Sequence, residues 1–248
     1  MQLATGGSML NFGYWDDDHC DPISAQNNLC MIFAELAELS TGKNVLDVGS
    51  GLSAPSILWQ NHFQNLNLFN ININFKQLSF SGSQKNIKFI NSTSTHLPIS
   101  DSSVDRVLAL ESAQHFKPLS KFISESKRVL TESGLLVLAI PVTLENPSLK
   151  KLGLLKFTWS SEHYELDEIK QEITSFGFEI LKEQLIGKFV YDPLADYYAQ
   201  NRDKLKKVIL KNYPNYVEKI LYKSILKMKK TSEEKIIDYV LLKCKIKS

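Results

Sequence analysis

Short apolar runs alternate with helical stripes along the first two-thirds of the chain. Leu29, Ile32, Phe33, Leu36, Ala37 and Leu39 recur at helical spacing and predict a helix over 23–40, ended by Thr41-Gly42. Val45-Leu46-Asp47-Val48 is a short apolar run before a glycine turn and predicts a buried strand. Residues 53–63 read as a helix, with Pro55 acceptable in its first turn. Further strands are predicted at 66–73, 87–90, 104–110 and 135–141, with helices from Phe75 onward and over 119–130. Strand 104–110 is apolar apart from Arg106. Apolar strands alternating with helices predict an α/β fold: a mostly parallel sheet with helices on both faces.

The order changes after Pro141. A helix is expected over 168–176, a strand over 178–186, one long helical stretch over 191–228 and a last strand over 236–246. Two late strands around a helical insertion place residues 189–232 as a cap over the sheet's edge. The core is then 23–188 with 233–248, and residues 1–22 form an irregular N-terminal segment.

Composition narrows the class. The chain has 248 residues, 43% apolar and 23% charged, ordinary for a packed globular protein. The net charge of +2 predicts no general nucleic-acid affinity. The sign is uneven: residues 1–148 carry 9 basic and 13 acidic side chains, residues 149–248 carry 20 and 14. The excess lies between Arg202 and Lys230, where Leu205, Val208, Ile209, Tyr213, Tyr216, Val217, Ile220 and Leu221 add an apolar stripe. A solvated helix face, a surface steering an anionic substrate, and contact with an anionic membrane or RNA all fit that stretch. Cys20, Cys30 and Cys244 have no CxxC spacing, so neither a disulfide framework nor a zinc knuckle is expected. There is no run of 18 apolar residues, and Met1–Met9 does not read as a signal peptide, so a cytoplasmic protein is expected.

The sharpest local signal is Val45-Leu46-Asp47-Val48-Gly49-Ser50-Gly51. A strand running through Gly-Ser-Gly into a helix is expected to bring bare backbone N–H groups close to a ligand. In an open α/β sheet that crevice lies beyond the carboxyl ends of the strands. A tight strand–helix turn using glycine only for geometry is the alternative. The Walker lysine is absent and the dinucleotide fingerprint is incomplete. Asp47 would crowd a pyrophosphate, but could order a loop facing an amino-acid-like cation.

VLDVGSG resembles the first motif of class I S-adenosylmethionine-dependent methyltransferases. Asn11-Phe12-Gly13-Tyr14-Trp15 is similar to the GYW segment of the small-molecule type, which includes rebeccamycin sugar, erythromycin and tocopherol methyltransferases. His96-Leu97-Pro98 with Asp101-Ser102-Ser103-Val104-Asp105 resembles their D-L-P-F-x-D-x-S-F-D stretch. Ala109-Leu110-Glu111-Ser112-Ala113-Gln114-His115-Phe116 resembles their ALES-x-x-H-M end of the fourth strand. The four segments lie in the family's order and span most of the chain. The resemblance implies a seven-stranded Rossmann-like sheet, S-adenosyl-L-methionine as cofactor and a small-molecule acceptor.

Residue by residue, the resemblance implies that Gly49, Ser50 and Gly51 line the methionine part of the cofactor, behind Asp47. Asn72 and Gln77 would hold the ribose and Ile73 would pack on adenine. Thr93 and Ser94 would read the adenine edge. Leu110 would offer its carbonyl to the cofactor's amino group, with Glu111 beside the cofactor's positive groups or capping the next helix. Tyr14 and Trp15 would close over the cofactor as an aromatic lid. His115, neutral yet basic near pH 7, would deprotonate an attacking hydroxyl. His19, His62, His96 and His163 lack metal-ligand spacing, Asp16–Asp18 reads as a solvated run, and no metal is expected.

Three positions depart from the pattern. Ser53 stands for the third glycine, Thr93 for an adenine-side acid, and Ala139-Ile140-Pro141 lacks the Asp that assists the base in the sugar O-methyltransferases. Methyl transfer to an O or N of a small apolar metabolite is therefore set against a catalytically degenerate binding protein of the same fold. A nucleic-acid methyltransferase is disfavoured by the absence of an Asn/Asp-Pro-Pro-Tyr/Phe motif.

Overall fold

The computed structural model describes residues 9–80, 82, 84–144, 149–159 and 161–247. The expectations for residues 1–8 lie outside the described residues. Helix α1 (Pro22–Leu36) leads into β1 (Asn44–Val48), α2 (Ala54–His62), β2 (Asn67–Asn72), α3 (Phe75–Phe80) and β3 (Ile87–Asn91). Then come β4 (Val104–Leu110), a single turn at Ala113–His115, α4 (Leu119–Val129) and β5 (Leu130–Thr143). Two short helices, α5 (Leu149–Leu152) and α6 (Leu155–Thr158), precede α7 (Leu166–Ser175) and β6 (Phe178–Leu185). The chain continues through α8 (Gly187–Gln200), α9 (Arg202–Ile209) and α10 (Asn215–Glu233) to β7 (Ile237–Ile246).

The seven strands form one sheet in the order β3-β2-β1-β4-β5-β7-β6, as the α/β reading expects. Only β7 is antiparallel to its neighbours. Both faces of the central strands are packed, which explains why they are apolar at nearly every position. Val45, Leu108, Leu135, Val137 and Ala139 pack on one face with Leu29, Phe33, Trp59 and Tyr191. Leu46, Val107, Ala109, Leu136 and Leu138 pack on the other with Phe122, Ile123 and Ile169. Helices cover both faces, so β1, the middle of β4 and β5 from Gly134 onward are almost wholly buried, and each large aliphatic there contributes about 1.5–3 kcal/mol. Among the described residues no helix is long and apolar enough to cross a membrane.

Three element boundaries differ from the sequence reading. Helix α1 stops at Leu36 rather than residue 40, because Glu38 takes a left-handed backbone (φ 52°). Arg106, the polar residue of β4, reaches the freed carbonyls: its guanidinium donates to Ala37 O at 2.6 Å and Glu38 O at 3.3 Å. The long helical stretch expected over 191–228 is three helices: Pro193 is tolerated inside the first, and the last starts after Pro214, whose missing N–H suits a helix start. Strand β5 runs from Leu130 to Thr143, longer than 135–141, because β7 pairs with its whole second half, Thr143 opposite Ile237.

Candidate active site

The chain passes from β1 into α2 through Gly49 (φ +78°) and Gly51 (φ +56°). A Cβ on Gly49 would lie 2.4 Å from the Ser112 Cβ. Ser112 must stay there, because its hydroxyl donates to Val48 O at 2.6 Å and ties β4 to β1. The N–H groups of Gly49 and Ser50 both donate to Ile71 O, at 2.8 and 3.1 Å. They pin the loop to β2, so these two donors are already used. Ser53, in place of a third glycine, is fully buried in a left-handed conformation (φ 60°).

Beyond this loop a cavity of about 810 Å³ opens at the carboxyl ends of the parallel strands. Gly49, Gly51, Asn72, Ile73, Gln77, Thr93, Ser94, Glu111 and His115 all line it. Ser50 and Leu110 line an adjoining recess with Gly49, Gly51 and Glu111. Asn72 donates its amide N–H to Gln77 Oε1 at 2.8 Å. Between them stands Ile73, 72% exposed on the cavity wall. The resemblance calls for S-adenosylmethionine, and the residues fit it. The volume holds a nucleoside, an amino acid and an acceptor together, and Ile73 is an aliphatic surface that a flat base would cover.

Two expected contacts are corrected. Tyr14 and Trp15 do not line the cavity. Tyr14 stacks on Phe189 at 5.0 Å, and Trp15, 3% exposed, packs on Tyr197 with its backbone N–H on Phe189 O. Large rings are better buried against α8 than left over an open mouth, and Leu10 and Phe12 line the cavity instead. Asp47 does not reach the cavity either. It is buried, its carboxylate accepts from Ser56 Oγ at 2.6 Å, and burial pushes it up to about 6. It ties β1 to α2.

Glu111 ends β4 with a left-handed backbone (φ 49°) that turns its side chain into the cavity wall. Its Oε1 accepts from Phe12 N–H at 2.8 Å and from Tyr239 O–H at 3.0 Å. Burial pushes the carboxyl up to about 8, overriding both donors. Tyr239 reaches the site because β7 runs antiparallel, so its first residues start where the parallel strands end.

His115 sits one turn further on. Its Nδ1 lies 2.6 Å from Ser161 Oγ, and that hydroxyl lies 3.0 Å from Gln114 O. A hydroxyl has one proton. Both contacts are satisfied when Ser161 donates to Gln114 O and His115 Nδ1–H donates to Ser161. This leaves Nε2 as the free base. Desolvation lowers the His115 pKa, which favours the neutral ring. Gln114 does not orient the ring with its side chain, whose amide donates to Glu111 O. Ser161 lies 46 residues away, in a stretch without regular pattern, and nothing in the sequence signals it.

The remaining walls mix apolar side chains with polar ones such as Lys117, Thr158 and Ser224. Trp159 and, from α8 and α10, Leu194, Leu221, Ile225 and Met228 line the cavity as well. Leu221, Ile225 and Met228 follow helical i, i+4, i+7 spacing, a signal present in the sequence but extending past the stripe read there.

Residues 46–138 match the family model of the methyltransferase domain. The chain is 25% identical over 242 residues to the erythromycin 3''-O-methyltransferase of Saccharopolyspora erythraea, covering 90% of this chain and 77% of that protein. It is 30% identical over 139 residues to methyltransferase GfsG of Streptomyces halstedii, covering 52% of this chain and 50% of that protein. Its fold superposes on a putative sarcosine dimethylglycine methyltransferase from Galdieria sulphuraria with a TM-score of 0.84 at 13% identity, covering 99% and 96% of the two chains. The glycine loop and the cavity at the strand ends agree with these likenesses: residues 46–138 match a methyltransferase domain, and the chain as a whole is similar to small-molecule methyltransferases.

Proposed function

We propose that the protein methylates a hydroxyl of a small, largely apolar molecule, with His115 as general base. The observation that carries this reading is the Gln114–Ser161–His115 arrangement, which leaves an unprotonated Nε2 on a ring lining the cavity. When bound, the cofactor supplies an electrophilic methyl group. Gly49, Ser50, Gly51, Leu110 and Glu111 would hold its amino-acid end, Asn72 and Gln77 its ribose, and Ile73, Thr93 and Ser94 its base. The similar erythromycin enzyme is an O-methyltransferase, which favours oxygen over nitrogen.

The chain's own contribution is then threefold. The walls exclude water and align the acceptor. His115 Nε2 takes the hydroxyl proton while Ser161 holds the opposite edge of the ring. Glu111, uncharged near pH 7 when alone, becomes a carboxylate beside a cationic ligand. Residues 189–232 act as the cap over the acceptor end, and Leu10 and Phe12, within the N-terminal segment 1–22, close the cofactor end.

The test is turnover of S-adenosylmethionine against a panel of apolar phenols, alcohols and amines. His115→Ala should lower methylation of a hydroxyl acceptor by about 10²–10⁴ with cofactor affinity unchanged. Full activity of that variant from pH 6 to 9 would remove the base and favour an amine acceptor. Cofactor binding with no turnover of any acceptor would favour the degenerate binding protein.

A further inference from the structure

We propose that the hairpin of α9 and the first turns of α10 docks the protein on an anionic lipid bilayer. Every residue from Leu210 to Tyr216 is exposed. Val208, Leu210, Tyr213, Tyr216 and Ile220 are among the largest exposed apolar side chains of the molecule, Tyr216 at 64% and Leu210 at 42%. They lie on the hairpin tip and the first turns beside it. Contiguous exposed apolar side chains at such a tip mark a contact surface rather than ordinary solvent exposure.

The charge around them names the contact. Lys204, Lys207, Lys211, Lys219 and Lys223 are exposed and make no salt bridge among the described residues. The acids between residues 202 and 230 are Asp203 and Glu218. Glu218 is fully buried and doubly bonded to Arg202, whose guanidinium lies 3.7 Å from the Tyr222 ring centroid. Beyond Asp203, the surface therefore offers cations and apolar groups with no carboxylate between them. Two copies of it would repel each other. RNA would use the charge but not Val208, Leu210 and Ile220, and the one arginine that could stack on a base is already paired. An anionic bilayer uses both parts: lysines at the headgroups, aliphatic and tyrosine side chains at the acyl boundary.

The opposite side of α10 contributes Leu221, Ile225 and Met228 to the cavity. Docking thus brings the Leu221 end of that wall close to lipid, which suits an acceptor dissolved in the membrane. That consequence rests on the acceptor reading above; the docking itself does not.

Flotation with vesicles of phosphatidylcholine, alone or mixed with phosphatidylglycerol, tests it. The wild-type protein should float with the phosphatidylglycerol vesicles and not with phosphatidylcholine alone, and less so as salt rises. A lysine near an anionic surface is worth about fivefold in partitioning. Lys207→Glu with Lys211→Glu and Lys219→Glu should therefore cost about a hundredfold or more. Tyr216→Ser with Ile220→Ser should cost about tenfold and leave the remaining binding more salt-sensitive. None of these residues lines the cavity, so S-adenosylmethionine affinity and thermal midpoint should not move. Equal partitioning onto both vesicle types, flotation with neither, no effect of the lysine reversals, or tighter retention on RNA than on vesicles would each overturn the proposal. Failure of cofactor binding with intact flotation would instead strike the functional reading alone.

Discussion

Glu111→Gln isolates the energetic cost of the carboxyl in the cavity wall. Both donors converge on Oε1, from Phe12 N–H and Tyr239 O–H, and glutamine keeps that oxygen. The variant removes the ionisation and little else. In the folded protein the carboxyl titrates at about 8, against about 4.3 in an unfolded chain. The folded state holds the proton more tightly, so stability is greatest in acid and falls as pH rises from about 4 to 8. Each pH unit inside that window costs about 1.4 kcal/mol, and between pH 5 and pH 9 the loss is about 4 kcal/mol. Asp47, raised to about 6 by burial, adds a smaller loss complete near that pH in both proteins. Urea unfolding at pH 5, 7 and 9 supplies the measurement, because the difference between wild type and variant cancels every other titration. The variant should match wild type near pH 5 and exceed it by several kcal/mol at pH 9. A gain below about 1 kcal/mol at pH 9, or a variant as pH-dependent as wild type, would refute a desolvated Glu111.

Four further outcomes are expected. Gly49→Ala should abolish S-adenosylmethionine binding in calorimetry and cost more than about 2 kcal/mol of stability, because its Cβ meets Ser112 at 2.4 Å on a backbone of φ +78°. Ser161→Ala should move the acid limb of the kcat pH profile to lower pH and lower kcat about tenfold, since an imidazolium loses an acceptor; Ser161→Thr should restore both. Calorimetry at pH 7 in buffers of differing ionisation heat should show proton release on S-adenosylmethionine binding, as a cationic ligand draws Glu111 into its carboxylate form. Deleting residues 1–15 should weaken cofactor affinity through loss of Leu10 and Phe12, whereas Tyr14→Ala alone should leave affinity unchanged and lower the thermal midpoint.

The parallel half of the fold was legible because its signals are local. A strand such as 104–110 carries its apolar run within its own residues, and the glycine turn after Val48 lies next to the strand it ends. The resemblance places Gly49, Asn72, Gln77, Glu111 and His115 at or just past those strand ends, and all five line the cavity. Tyr14 and Trp15 were assigned by motif, yet their rings go where partners are available, onto Phe189 and Tyr197 of a helix far along the chain. Asp47 looked like a ligand contact because it borders the glycines. The strand's two-residue alternation sends its side chain to Ser56 instead.

What the sequence hid is the set of contacts that need two distant segments at once. Ser161 and Tyr239 carry no motif, and each reaches His115 or Glu111 only through chain geometry. The replacement of the fifth-strand Asp shows why this matters. With Ala139-Ile140-Pro141 at that strand end, no acid from it can hold His115, and the sequence alone points to an unsupported ring. The segment after β5 supplies a hydroxyl in place of that acid. A neutral hydroxyl can accept Nδ1–H and fix the tautomer, but it cannot stabilise an imidazolium as a carboxylate would. A ring held this way is a weaker base than one held by a carboxylate, and desolvation lowers the His115 pKa further. Such a base suits a hydroxyl that is itself acidic. Among hydroxyl acceptors, phenols or enols should then be turned over faster than sugar alcohols. The same panel of acceptors, ranked by hydroxyl pKa at fixed size, reads that slope directly, and a flat ranking would remove proton transfer from the rate-limiting step.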